Sequence, residues 1–331
     1  MEKRDAFLQE QCGDDHNLLN DILGLLSADT ESTGFLDAET PLSPSVTAAQ
    51  YSPQSGDKVE HYKIISAIGH GNMGRVYKAE DILLKKQVAL KHLPATLASD
   101  YTARRRFRAE AEAASSLNHP NICTILDFGE TAGNDLYIVM PFYEGKTVSA
   151  LIDEKGITVD MALAIAIDMC AGLAAAHEAG IIHRDIKPSN VIFTDSNEVK
   201  ILDFGIAKVA GLDLTRTGTR LGTFAYMAPE QIKGDTIDPR TDIWALAAML
   251  YEMLTGQRAF AGKDMLDTMH SIVHDHDKPD MDALKKTEFG NNGARIAGLQ
   301  QLLHRAMTRD INKRPGNANV FREELLEISR C

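Results

Sequence analysis

The stretch His183-Arg184-Asp185-Ile186-Lys187-Pro188-Ser189-Asn190, followed by Asp203-Phe204-Gly205, constrains this chain more than any other feature. Asp185 is a carboxylate able to accept a proton. Lys187, two residues on, falls on the same side of an extended loop and sets a positive charge beside it. Asn190 and Asp203 supply the hard oxygen donors that magnesium prefers. Taken singly, Asp and Asn in loops are turn formers or helix caps, and a lone lysine is a solvated side chain. Their joint spacing makes them a candidate catalytic set.

That set suits phosphoryl transfer, in which charge spread over phosphate oxygens is neutralised and an acceptor hydroxyl is held in line. The residues resemble the catalytic-loop and magnesium-loop signatures of the eukaryotic-type (Hanks-type) serine/threonine protein kinases, with a bacterial character. The resemblance implies an α+β, bilobal protein-kinase-like fold: a small antiparallel-sheet N-lobe with one helix, and a larger, mostly helical C-lobe. It implies ATP with Mg2+, Mn2+ being the alternative ion, and protein substrates. Under it Asp185 and Lys187 are catalytic, and Asn190 and Asp203 bind the metal.

Upstream, Ile68-Gly69-His70-Gly71-Asn72-Met73-Gly74-Arg75-Val76 has the spacing of a phosphate-cradling loop, whose glycines let backbone approach phosphates closely. Dinucleotide-binding folds share that spacing, but there it opens a helix and an acidic residue follows about 20 positions on. Here Val76-Tyr77-Lys78-Ala79 continues as strand-like sequence, and the residue near that offset is Lys91, in Val88-Ala89-Leu90-Lys91. A lysine ending such a run points inward and can reach the α and β phosphates. The segment Tyr101 to Leu117 reads as a helix with Phe107, Ala114 and Leu117 on one face. Glu110 shares that face and is expected to pair with Lys91, ahead of Glu112, which points away. Ala114 is small where the family often packs a larger apolar residue. Leu136 to Met140 should be the last N-lobe strand, and Pro141 to Gly145 the hinge, with Met140 bordering the nucleotide pocket. Pro141 has no N–H, so the adenine-facing donor is expected from Tyr143. Val76 and Ala89 above and Ile192 below are expected to sandwich the adenine.

Between Asp203-Phe204-Gly205 and Ala228-Pro229-Glu230 lies a polar segment containing Thr215, Thr217 and Thr219, which matches the family's activation segment. Arg184 can pair with a phosphothreonine, so phosphorylation of Thr215 or Thr217 is expected to order the loop and make the protein self-activating. Lys187 with Thr223, in Gly222-Thr223-Phe224-Ala225-Tyr226, resembles the serine/threonine class. Asp242 resembles the family's buried brace of the catalytic loop, and Arg314 the arginine that pairs with Glu230. The alternative reading is a catalytically weak, kinase-like signalling scaffold. Such proteins usually lack one of the residues that stand here as Lys91, Asp185, Asn190 and Asp203. Transfer to a small molecule fits poorly with Ala228-Pro229-Glu230 and the long activation segment.

With 331 residues, 44% hydrophobic and 25% charged, the chain can bury a large core in two lobes plus an extension. A helical N-terminal extension is expected over residues 1–27, where Leu18, Leu19, Ile22, Leu23, Leu25 and Leu26 cluster. A flexible linker is expected over 28–57 and the kinase domain over 58–331, divided into an N-lobe at 62–141 and a C-lobe at 144–331. A net charge of −12 disfavours a general nucleic-acid binder. The scattered Cys12, Cys123, Cys170 and Cys331 suggest neither a zinc site nor a disulfide framework, which fits a reducing cytoplasm. The opening Met1 to Asp5 does not resemble a secretory leader. Met161 to Ile182, the most apolar stretch, is interrupted by Asp168, His177 and Glu178 and is expected to be a buried helix, so no membrane span is expected. Partners are expected to be protein substrates and a second copy of the chain, in a homodimer that phosphorylates itself in trans.

Overall fold

The computed structural model describes residues 53–71, 74–93, 108–109, 111–131, 135–204, 221–274, 279–286 and 293–330. Six strands form the first sheet: β1 (Lys58–Val59), β2 (Tyr62–Gly71), β3 (Gly74–Asp81), β4 (Lys86–Leu93), β5 (Asp127–Glu130) and β6 (Leu136–Pro141). Every pairing is antiparallel, in the order β1-β2-β3-β4-β6-β5. Along β3 the buried residues Tyr77, Ala79 and Asp81 alternate with more exposed ones, the period of a strand with one covered face. β4 is buried continuously from Val88 to Leu93, as suits a strand with neighbours on both edges and cover on both faces. The register sets Lys91 between Val76 on β3 and Ile138 on β6. The N-lobe helix is described at 108–109 and 111–115.

The end of the expected linker belongs to this sheet. Gly56 N–H donates to Ile64 O and Ile64 N–H to Asp57 O, both at 2.9 Å, while Ser55 Oγ donates to Ile65 O. Residues 54–57 therefore extend its edge. The remainder of the expected extension and linker, 1–52, lies outside the described residues.

The C-lobe contains helices α1 (Val148–Asp153), α2 (Val159–Glu178), α3 (Pro229–Lys233), α4 (Arg240–Thr255), α5 (Met265–Val273), α6 (Gly293–Ala306) and α7 (Ala318–Arg330). Side chains start several of them. Thr147, Thr158 and Asp264 accept hydrogen bonds from the first turns of α1, α2 and α5, each satisfying a backbone donor that the helix leaves open. Gly234 and Gly256 end α3 and α4 with φ of 73° and 69°. α4 is buried all round from Thr241 to Leu254, which marks it as the central helix, and Trp244 stacks on Phe260 with ring centroids 5.1 Å apart. α2 is long and apolar enough to cross a bilayer by length and composition, but it packs against α4 and α7 and buries ten residues inside the lobe. It is the buried helix expected from its sequence.

A second sheet joins β7 (Gly145–Thr147), β8 (Val191–Thr194) and β9 (Val199–Ile201). The β8–β9 hairpin follows the loop 181–187 and the 3-10 turn Pro188–Asn190. The candidate catalytic loop thus lies between a long buried helix and a short hairpin, as its sequence suggests.

Candidate active site

Asp242, in the first turn of α4 and fully buried, holds the loop from beneath. Its Oδ2 accepts from His183 N–H and from His177 Nε2–H, and its Oδ1 from Arg184 N–H, all at 2.8 Å. Gln231 donates to Arg184 O at 2.8 Å from the other side. These bonds hold Arg184 at φ 64°, a left-handed conformation that costs a non-glycine residue about 1–3 kcal/mol and persists only when its surroundings impose it. His183 donates from Nε2 to Leu202 O at 2.8 Å and packs on Phe204, ring centroids 4.7 Å apart, so the loop and the Asp203 segment are tied together.

Within the loop, Asp185 Oδ2 accepts from Lys187 Nζ at 2.7 Å and from Asn190 Nδ2 at 3.0 Å. Asn190 Nδ2 also donates to Asp185 O at 2.8 Å, which turns Oδ1 away as the remaining donor atom. Leu202 N–H donates to Asn190 O at 2.8 Å, bringing Asn190 beside Asp203. Asp203 sits at φ 57° and its Oδ2 receives Lys91 Nζ at 2.7 Å. Asn190 Oδ1 and the second Asp203 oxygen are hard oxygen donors of the kind magnesium takes alongside phosphate oxygens and water, so the donor set fits the ion.

Lys91 is buried, as expected, and its partner among the described residues is Asp203. Glu110, the partner expected from sequence, lies outside the described residues, as do Asn72, Met73, Thr215, Thr217 and Thr219. His70 and Gly71 continue β2, and Thr223 lies in the 3-10 segment Leu221–Tyr226. Ile68 is exposed, and Gly69 pairs with Val76 at the bend of β2. Gly74 answers to a packing demand: at φ 126°, any Cβ would overlap the His92 carbonyl oxygen on β4. Ala89 and Met140 are buried opposite each other on β4 and β6, with Pro141 ending β6. Val76 and Ile192 are half-buried, and Ile192 pairs with Lys200 on β9.

Ala114, Cys123, Ile125, Ile138, Met140, Asp203 and Phe204 surround a cavity of about 10 Å³, so the space behind Met140 is nearly filled. The Tyr143 side chain is engaged within the protein: its hydroxyl bonds the Cys123 thiol and its ring lies 5.4 Å from Lys200 Nζ. Burial, with the Asp203 charge adding to it, pushes the Cys123 thiol up to about 12. That thiol stays protonated and packs as a buried side chain.

Two supports escaped the sequence reading. His177 registered only as a polar break in an apolar stretch, and Gln231 did not register. The signal for His177 was present, since a histidine near the end of a buried helix needs a partner.

Glu230 and Arg314 are paired as expected. Arg314 Nη1 and Nη2 donate to the two Glu230 oxygens at 2.7 and 2.8 Å, and Thr241 Oγ1 adds a third bond at 2.7 Å. All three side chains are buried.

A sheet-rich lobe, a helical lobe and a loop braced from the central helix define the protein-kinase-like fold. Residues 62–326 match the family model described as the protein kinase domain, and the chain belongs to that family. It is 35% identical over 276 residues, 81% of its length, to Serine/threonine-protein kinase PknB of Mycobacterium tuberculosis, and spans 43% of that relative. It thus covers less than half of the longer protein. The kinase domain of Mycobacterium tuberculosis PknI superposes with a TM-score of 0.66 at 28% identity, covering 84% of this chain and all of that one. Rad53 1-466 in complex with AMP-PNP superposes with a TM-score of 0.65 at 25% identity, covering 80% of this chain and 64% of that one. Family and relatives together show that the sequence is similar to Hanks-type serine/threonine kinases of bacteria.

Proposed function

We propose that the chain transfers the γ-phosphoryl group of Mg-ATP to serine and threonine hydroxyls of protein substrates. The observation that carries this reading is the junction of Lys91–Asp203 with Asp185, Lys187 and Asn190. PknB and PknI support it through their kinase names and titles, and Rad53 through its bound ATP analogue.

Asp185 orients the acceptor hydroxyl and takes its proton. Lys187, fixed at 2.7 Å from Asp185, offsets negative charge developing on the transferring group. Lys91 holds the α and β phosphates while its ion pair positions Asp203. Asn190 and Asp203 would hold Mg2+, which when bound neutralises phosphate charge; Mg2+ is chosen over Mn2+ as the ordinary partner of such oxygens. Ile68, Gly69, His70, Gly71, Asn72, Met73 and Gly74 would cover the phosphates. Val76, Ala89, Met140, Pro141, Ile192 and the Tyr143 N–H would enclose the adenine. Glu110 would steady Lys91 in the active state. Thr223 would help to place the acceptor. Arg184 would receive a phosphate on Thr215, Thr217 or Thr219, in trans from a second copy of the chain. A reducing, cytoplasmic setting completes the proposal, supported by the free thiols Cys123 and Cys170.

The test is intact-mass and peptide mass spectrometry after incubation with Mg-ATP, beside Asp185→Asn. Phosphate should appear on the wild-type chain and fall by about 10²–10⁴ in rate in the variant, the usual contribution of a positioned base. A wild-type chain that binds nucleotide yet phosphorylates neither itself nor a generic protein substrate would overturn the reading.

A further inference from the structure

The face of α5 that points away from the core carries a feature that phosphoryl transfer does not use. Thr268, Ser271 and Ile272 are buried on the inner side, where α5 packs on the segment Leu221–Tyr226. On the outer side, His270 and His274 are both exposed, and their rings lie 4.1 Å apart between centroids at an interplanar angle of 34°. His274 is the C-cap of the helix, and its N–H donates to His270 O at 3.0 Å, so the chain leaves the helix directly beneath the ring pair. Neither imidazole is held by an ion pair or side-chain hydrogen bond among the described residues.

Histidines four apart on a helix share one face, which is the spacing with which H-x-x-x-H pairs grip zinc. Imidazole nitrogens sit about 2.0–2.1 Å from a zinc ion, so two donors sharing one ion lie no more than roughly 4 Å apart. With ring centroids 4.1 Å apart, side-chain rotation can aim one nitrogen of each ring at a shared ion. We infer that His270 and His274 form a two-pronged site for a divalent transition metal of the zinc, nickel and copper class. Among the described residues no three His, Cys, Asp or Glu side chains converge on one point, so water completes the shell. Asp275, His276 and Asp277 follow in the sequence, outside the described residues, and the site does not require them. Nitrogen donors set this site apart from the oxygen pair at Asn190 and Asp203, because magnesium selects oxygen and the softer metals select imidazole. A bound ion would staple the last turn of α5, the helix that supports Leu221–Tyr226.

The test is isothermal titration of the untagged full chain with Ni2+, and separately Zn2+, in excess Mg2+ so that the oxygen site is already filled. Wild type should bind about one equivalent, and His270→Ala and His274→Ala should each weaken binding by at least about tenfold, no less than the loss of an outer-shell partner brings. The double variant should lose the site while keeping its circular dichroism and its phosphoryl transfer from Mg-ATP measured without added Ni2+ or Zn2+. Wild-type affinity retained in either single variant would overturn the chelate, as would absence of binding in the wild type.

Discussion

Asp242 shows how much of this site depends on one carboxylate. It takes three donors at 2.8 Å in a place closed to solvent, and two of them are the backbone of the loop that carries Asp185. Replacing it with asparagine keeps the shape but turns an amide N–H toward groups that are themselves donors. Asp242→Asn should therefore cost about 1–3 kcal/mol in urea unfolding, the range for a buried donor left without its acceptor. Turnover should fall more than nucleotide affinity, because the loop is released and the hinge is not; steady-state kinetics beside nucleotide binding check this. Lys91 makes the converse case. Its ammonium pairs with Asp203 at 2.7 Å, and Lys91→Met removes the charge while retaining most of the buried stem. Turnover is expected to drop about 10²–10³-fold, as when one preorganised donor is deleted, with little change in thermal midpoint.

Among the elements, the β3–β4 hairpin is the most demanding. Gly74 lies against the His92 carbonyl at φ 126°, so Gly74→Ala strains the backbone and forces the strands apart. The expected loss is at least about 1–3 kcal/mol, read by thermal unfolding, with weaker nucleotide binding as the loop above it shifts. Strands and hairpins of this kind were legible in the sequence because their information is local. Period-two burial along β3, the apolar run of β4 and the Leu136–Pro141 strand each follow from neighbouring residues. So did the placing of Asp185, Lys187 and Asn190 in one loop, since five positions separate the outermost pair. Contacts made across the fold were not legible in the same way. Lys91 and Asp203 stand 112 positions apart, so a reading that saw each residue's chemistry had no means of seeing that they touch. His177 acquires its meaning only when α4 brings Asp242 to it, 65 positions on. Residues 54–57 look like linker because Ser and Gly report flexibility, whereas their order comes from backbone bonds to β2 that carry no side-chain signature.

At the scale of the molecule, Glu230 at the start of α3 and Arg314 join parts of the C-lobe that stand 84 positions apart. Both side chains lie out of water, so their value depends on their being charged together. Burial alone would push the Glu230 carboxyl up, but the hydrogen bonds and charge of Arg314, with Thr241 assisting, hold it below the ordinary glutamate value. A depressed folded-state value means that the unfolded chain binds the proton more readily. The pair's contribution is therefore fully present above the ordinary glutamate value of about 4.3 and is lost as pH falls through the lower folded value. Many carboxylates titrate in that range in a chain with 47 acidic residues, so the total acid dependence would not isolate this one. The difference between wild type and Glu230→Gln does. Urea unfolding should show that difference largest near neutrality and shrinking below about pH 4. Arg314→Met, which leaves a buried carboxylate uncompensated, should cost about 3–5 kcal/mol near neutrality. Adding Glu230→Gln to it should restore part of that loss, because the stranded charge is gone. If the double variant were as unstable as the sum of the two single ones, the pair would be two independent packing contacts and the pH difference would be flat.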